Sequence, residues 1–230
     1  MDALFKTETF RIAGTDKVAC LIAGYRGKIA SYSTAVQALN KHGFTVIAYE
    51  HSPRVLKNGD PQDLLSLGHG IYKDFSRKIK NHKKVICVGA SIGAGIGFDL
   101  QRRIPKARYG IYAGAGVSPS EAIFEAPLFY FVRKAFGKNG HDIDGLKAAW
   151  QEVEILPDTP LDKNKAFIIV LGKQDRIVKY QKALATLRAW QHAGVPIKII
   201  TKQYLGHRGT VRWFKKNLGS LLAEAEDNVN

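Results

Sequence analysis

The chain is poor in everything that would staple it, anchor it or balance its charge. Only two cysteines occur, Cys20 and Cys87, each inside an apolar strand-like run where a free thiol behaves as a small hydrophobe. A disulfide between them would need neighbouring strands and an oxidising compartment, so free thiols are the expectation. No stretch approaches the ~18 apolar residues of a membrane-spanning helix. Met1–Glu8 carries early acids and no apolar core of signal-peptide length. A cytoplasmic protein without a transmembrane segment is therefore expected. Acids are scarce as well: 20 Asp plus Glu face 35 Lys plus Arg, leaving a formal charge of +15. Such an excess favours anionic partners in general without identifying one. The basic residues are spread along the chain and no nucleic-acid module appears, which argues against a nucleic-acid partner. The densest run, Arg77–Lys84, falls where a helix should end, and cations there complement the helix dipole.

What is present suits a packed core. With 45% hydrophobic and 24% charged residues over 230 positions, the chain reads as one globular domain spanning 1–230 rather than a disordered segment. Val18–Ala23, Phe44–Tyr49, Val85–Ala90, Tyr109–Ala113, Ala166–Leu171 and Ile197–Thr201 read as strands. A weaker, edge-type strand is expected at Phe10–Ala13. Helical spacing lies between them: Tyr32, Val36 and Leu39 behind a Ser31 cap, and Leu64, Ile71, Phe75 and Ile79 behind Asp60-Pro61. Alternating strands and helices imply crossover units, a mostly parallel sheet flanked by helices, and ligands at the carboxyl ends of the strands. The rhythm breaks from about 117 to 165. Ser118-Pro119-Ser120-Glu121 is a capping box, Pro127 interrupts the helix it starts, and a further helix with Leu146, Trp150 and Val153 runs until Pro157. This stretch reads as a short helical cap insertion. Its aromatics, Phe129, Phe131 and Trp150, either fasten it to the core or line an apolar substrate pocket.

The run Val85-Ile86-Cys87-Val88-Gly89-Ala90-Ser91-Ile92-Gly93 carries an apolar strand straight into G-x-S-x-G. A serine hydroxyl is a poor nucleophile unless it is held exposed on a sharp turn beside a base, and a strand–turn–helix with glycines around the serine supplies that turn. Two plainer readings exist. One is an ordinary glycine-rich turn. The other is a dinucleotide loop beginning at Gly93 or Gly95, which fails because Phe98 or Leu100 stands where the third small residue belongs. Gly93, Gly95 and Gly97 each cost ~1 kcal/mol in a helix interior, so close packing of helix on strand must offset them.

With G-A-S-I-G after its strand, the chain resembles the α/β-hydrolase superfamily, serine esterases and lipases with a small cap, over nearly its whole length. The resemblance implies an α/β-hydrolase fold and a triad in the order Ser91, Asp175, His207, since Gly172-Lys173-Gln174-Asp175 and Tyr204-Leu205-Gly206-His207 each follow an apolar strand. Gly24-Tyr25-Arg26-Gly27 resembles the oxyanion loop, with Ala23 standing where His is common, and implies the backbone NH groups of Tyr25 and Ile92 as donors. Among the other histidines, His51 is the best spare, and Asp162 or Asp158 would replace Asp175 if that assignment failed. The implied reaction is hydrolysis of a small-molecule carboxylic ester through an acyl-enzyme, with no metal and no organic cofactor. An acyl thioesterase or acyltransferase would use the same triad. A non-catalytic binding protein on the same fold is the alternative of a different class. Oligomeric state is left open.

Overall fold

A computed structural model describes residues 4–116 and 118–227; Val117, the expected start of the cap, lies outside them. The first strand, β1 (Phe5–Phe10), precedes the expected Phe10–Ala13 and overlaps it only at Phe10. The expectation of an edge strand holds: β1 pairs only with β3 (Thr45–His51), antiparallel. Its alternation Phe5-Lys6-Thr7-Glu8 is the half-buried pattern that the continuous apolar runs lack. Between them come β2 (Lys17–Ile22), a 3-10 turn (Ile29–Tyr32) and α1 (Ser33–Lys41). Ser31 does not cap α1 as expected, because it sits inside the 3-10 turn with its hydroxyl on Lys28 O.

Two helices follow, the single-turn α2 (Arg54–Lys57), which the sequence did not suggest, and α3 (Pro61–Lys78), whose Asp60 cap accepts from Gln62 N. Then come β4 (Lys84–Ala90), α4 (Ile92–Arg103) and β5 (Ala107–Ala113). The cap comprises α5 (Pro119–Glu125), a 3-10 turn (Pro127–Phe129), α6 (Tyr130–Lys138) and α7 (Ile143–Ala149). Ser118 Oγ accepts from Glu121 N as the capping box requires. The last cap helix ends at Ala149, well before Pro157. Alternation resumes with β6 (Ala166–Gly172), α8 (Tyr180–His192), β7 (Ile197–Lys202) and α9 (His207–Asp227).

The seven strands run in the order β1-β3-β2-β4-β5-β6-β7, parallel except for β1. This is the expected α/β architecture, with β4 at the centre between β2 and β5. Strand periodicity divides the core into two layers. Val18, Cys20 and Ile22 point to the side covered by α3, α4, α8 and the cap, whereas Ala19 and Leu21 point to the side covered by α1 and α9. Cys20 and Cys87 are register partners across β2 and β4, and both are free and buried. Burial pushes the Cys87 thiol up to about 12, so it stays protonated and inert. No helix among the described residues is long and apolar enough to cross a membrane.

Candidate active site

Ser91 is the first residue past β4 and the N-cap of α4, with φ 56° and ψ −129°. A non-glycine residue in that region costs on the order of 1–3 kcal/mol and is held only by its surroundings. Here Ser91 N donates to Ala113 O at 2.8 Å while Ser91 O accepts from Ala94 N at 2.8 Å, fixing the turn from both sides. Room for it comes from the flanking glycines. A Cβ on Gly93 would run into the carbonyl oxygens of Ile22 and Ala23, and one on Gly89 into that of Gly93, so helix and strand approach each other backbone to backbone. Gly95 differs: a Cβ there meets nothing, because its face of α4 borders a cavity.

Asp175 and His207 come from the loops after β6 and β7. The two loops are tied by Gln174 N to Leu205 O at 3.1 Å. Asp175 Oδ1 accepts from the amides of Ile177 at 2.8 Å and Val178 at 2.9 Å, and Oδ2 accepts from His207 Nδ1 at 2.8 Å. Both oxygens are committed, and the carboxylate side chain is 2% exposed against 13% for the imidazole. With Nδ1–H donating to Asp175, Nε2 is left as the acceptor. The ring lies over the end of β5, where a Cβ on Gly114 would sit 3.0 Å from His207 Cε1. Ser91 and His207 line the same cleft of about 600 Å³. No hydrogen bond joins them among the described residues; such contacts are often long in unliganded sites and tighten with substrate.

The turn Gly24–Gly27, closed by Gly27 N to Gly24 O at 2.8 Å, leans on the elbow: a Cβ on Gly24 would lie 3.4 Å from Ser91 Cβ. Gly24 N is held by Tyr32 Oη at 3.0 Å. Neither the Tyr25 nor the Ile92 amide donates to a partner among the described residues. His51, the spare histidine, ends β3 and stacks under the Tyr25 ring at 6.0 Å. It is 4% exposed, and burial lowers its pKa, which keeps it neutral. Asp158 and Asp162 lie in the loop before β6, where Asp162 accepts from Asn164 N.

Two spaces meet at Ser91. The outer one is the cleft shared with His207, Tyr25 and Phe131. The inner one is a narrow apolar cavity of about 70 Å³ running along α4 from Ser91 past Gly95 and Ile96 to Asp99. Phe129 lines both. Phe131, 81% exposed, stands at the outer rim. Trp150 corrects the sequence reading: it lines neither space. Its indole is fully buried, donates to Pro61 O at 2.9 Å and meets Phe136 edge-on, so it fastens the cap to the core. No group of metal-ligating side chains occurs among the described residues.

What the sequence reading missed is the charge of the cleft. Arg208, Arg212 and Lys215 follow His207 at helical spacing on α9 and line the cleft together with Arg26. The i, i+4, i+7 pattern was visible, but which face it occupied depended on how α9 packs.

Comparisons with protein-family models and with curated proteins find no match. Solved structures do match in shape. The mouse alpha/beta hydrolase domain-containing protein 10 is 15% identical with a TM-score of 0.66, covering 98% of this chain and 95% of its own. An esterase from Pyrobaculum calidifontis is 11% identical with a TM-score of 0.63, covering 95% and 81% respectively. An esterase from Pyrococcus furiosus is 17% identical with a TM-score of 0.60, covering 92% and 81%. At these identities the likeness speaks for architecture alone, and together with the seven-stranded, mostly parallel sheet flanked by helices it shows that this chain has the α/β-hydrolase fold.

Proposed function

We propose that the chain hydrolyses carboxylic esters through Ser91, with His207 as general base and Asp175 as its orienting acid. The observation that carries this reading is the 2.8 Å pairing of His207 Nδ1 with a buried Asp175, beside a cleft that Ser91 also lines. Esterases among the structural neighbours support the reaction class.

Ser91 Oγ attacks the carbonyl carbon as His207 Nε2 takes its proton, and Asp175 stabilises the imidazolium that forms. The amides of Tyr25 and Ile92 hold the oxyanion; Ile92 is the first residue of α4, where amides are unpaired and the helix dipole favours negative charge. The tetrahedral intermediate collapses, its C–O bond breaks, and the leaving alkoxide takes the proton from His207. Water then attacks the acyl-enzyme, giving its proton to His207, and collapse returns that proton to Ser91 as the acid departs. The acyl chain occupies the inner cavity beside Phe129 and the alcohol occupies the outer cleft.

A fluorophosphonate probe should label Ser91, with the adduct located by mass spectrometry, and Ser91→Ala should abolish labelling. Asp175→Asn and His207→Ala should each lower ester turnover by about 10⁴-fold. The melting temperature of Asp175→Asn should barely move, because an amide oxygen still accepts from Ile177 and Val178. A folded wild-type chain that fails to label would leave a binding protein of this fold, and full activity in Asp175→Asn would overturn the triad, because Asp158 and Asp162 precede β6, at the end of that strand away from His207, and cannot replace Asp175.

A further inference from the structure

Elsewhere on the molecule cations are met by acids: Glu121 and Glu125 hold Lys182, Asp74 holds Arg77 and Lys78, and Asp99 and Glu152 hold Arg103. The mouth of the Ser91 cleft is different. Arg26, Arg208, Arg212 and Lys215 line it, and Arg176 lines the adjoining cleft that shares His207 and Arg208. Neither lining includes an Asp or Glu, and none of the five cations forms an ion pair among the described residues.

These side chains are not all free in solvent. Lys215 Nζ donates to Ser31 O at 2.9 Å and lies 4.7 Å over the Tyr32 ring, and Arg26 lies 5.2 Å over Tyr25. Burial, and secondarily the neighbouring Arg212, lower the Lys215 pKa. Holding cations together in a concave site costs free energy that an anionic ligand would recover. Guanidinium groups add a fork geometry suited to two oxygens of one phosphate.

From this we infer that the outer cleft receives a phosphate-bearing leaving group, so that the substrate is an acyl ester or thioester whose alcohol or thiol part is a phosphorylated carrier or a glycerophosphate. The inference rests on the hydrolase reading of Ser91 and names the substrate class of that site. The division of labour follows from the two spaces: the apolar cavity along α4 takes the acyl chain, and the cationic cleft takes what is expelled. Release of the carrier returns a bare anion to the cleft, so the free carrier should also inhibit as a product.

The test uses the full chain and two matched pairs with one octanoyl group. The coenzyme A thioester is set against the neutral N-acetylcysteamine thioester, and 1-octanoylglycerol 3-phosphate against 1-octanoylglycerol. In at least one pair the phosphate-bearing member should have the higher kcat/KM, by about tenfold or more at low ionic strength, with the advantage shrinking as salt rises. The favoured pair identifies the source of the phosphate. Arg208→Glu and Arg212→Glu should each cut that advantage severalfold, read as the ratio of kcat/KM within a pair. Equal rates within both pairs, or an advantage indifferent to the charge reversals, overturns the inference and leaves ester hydrolysis standing. If none of the four is turned over and Ser91 does not label, the hydrolase reading fails, and the anion site is judged by calorimetric titration of coenzyme A and glycerol 3-phosphate. Binding to the wild type that is lost in the Arg208→Glu/Arg212→Glu chain sustains it, and no binding to the wild type overturns it.

Discussion

Three glycines on α4 pose one question with two answers. Gly93 and Gly97 are needed because a Cβ would strike the Ile22 and Ala23 carbonyls at one and the Tyr112 ring at the other. Gly95 has open space where its Cβ would be, and that space adjoins the inner cavity. Stability alone would favour Ala there, by about 1 kcal/mol in a helix interior. Gly95→Ala should therefore raise the melting temperature, or leave it unchanged, while lowering kcat/KM for longer acyl chains. A methyl group that displaces one methylene of the substrate should cost about 0.8 kcal/mol, roughly fourfold in kcat/KM. Acetyl esters, which do not reach Gly95, should be unaffected. The comparison is a chain-length series on wild type and variant. An unchanged profile would remove the cavity from the acyl site, and a fall in stability would mean that Gly95 is held by packing like its neighbours.

The cap shows which elements a linear reading can and cannot orient. Phe129 and Trp150 look alike in the sequence, as aromatics in short helices interrupted by proline, yet Phe129 borders both cavities and Trp150 is sealed between α3 and α6. Each cap helix spans two turns or little more, too few for periodicity to say which face is inward. The six parallel strands, the Ser91 turn and the two loops bearing Asp175 and His207 were legible for the opposite reason, whereas the antiparallel β1, without a continuous apolar run, was expected several residues too late. Long apolar runs must be covered on both faces, and glycines on either side of a serine just past such a run permit the close, sharp strand-to-helix turn. The basic face of α9 was written in the spacing of Arg208, Arg212 and Lys215, but only the packing of α9 on β5 and β6 aims it at Ser91. The two aromatics should separate cleanly. Phe129→Ala should raise KM most for medium-chain esters and, because the ring is itself buried in the core cluster, should cost stability as well. Trp150→Ala should cost about 3–5 kcal/mol of stability and act equally on all chain lengths. Thermal melts and the same ester series check both, and a chain-length effect in Trp150→Ala would return that residue to the pocket.

At the scale of the whole molecule, the cap is not a separate body laid on the sheet. Phe129, Val132, Phe136, Leu146, Trp150 and Val153 belong to the same buried cluster as Cys20, Ile22 and Cys87 of the central strands. Polar ties reinforce the join, from Trp150 to Pro61 O, from Asn139 to the carbonyls of Asn58 and Gly59, and from Glu121 and Glu125 to Lys182 on α8. A cap with its own core could melt early and leave the sheet folded. One that shares its core should unfold with it, so the chain should behave as a single cooperative unit. Three tryptophans make this measurable, since Trp150 reports from the cap, Trp190 from α8 and Trp213 from α9. Urea unfolding followed by far-ultraviolet circular dichroism and by tryptophan fluorescence should give coincident transitions with one midpoint. Keeping only Trp150, with Trp190 and Trp213 changed to Phe, should give the same coincidence at a lower midpoint, because Trp190 also stacks on Phe98 in the core. If the Trp150 signal moved ahead of the circular dichroism, the cap would be an independently melting unit, free to open over Ser91 without disturbing the sheet.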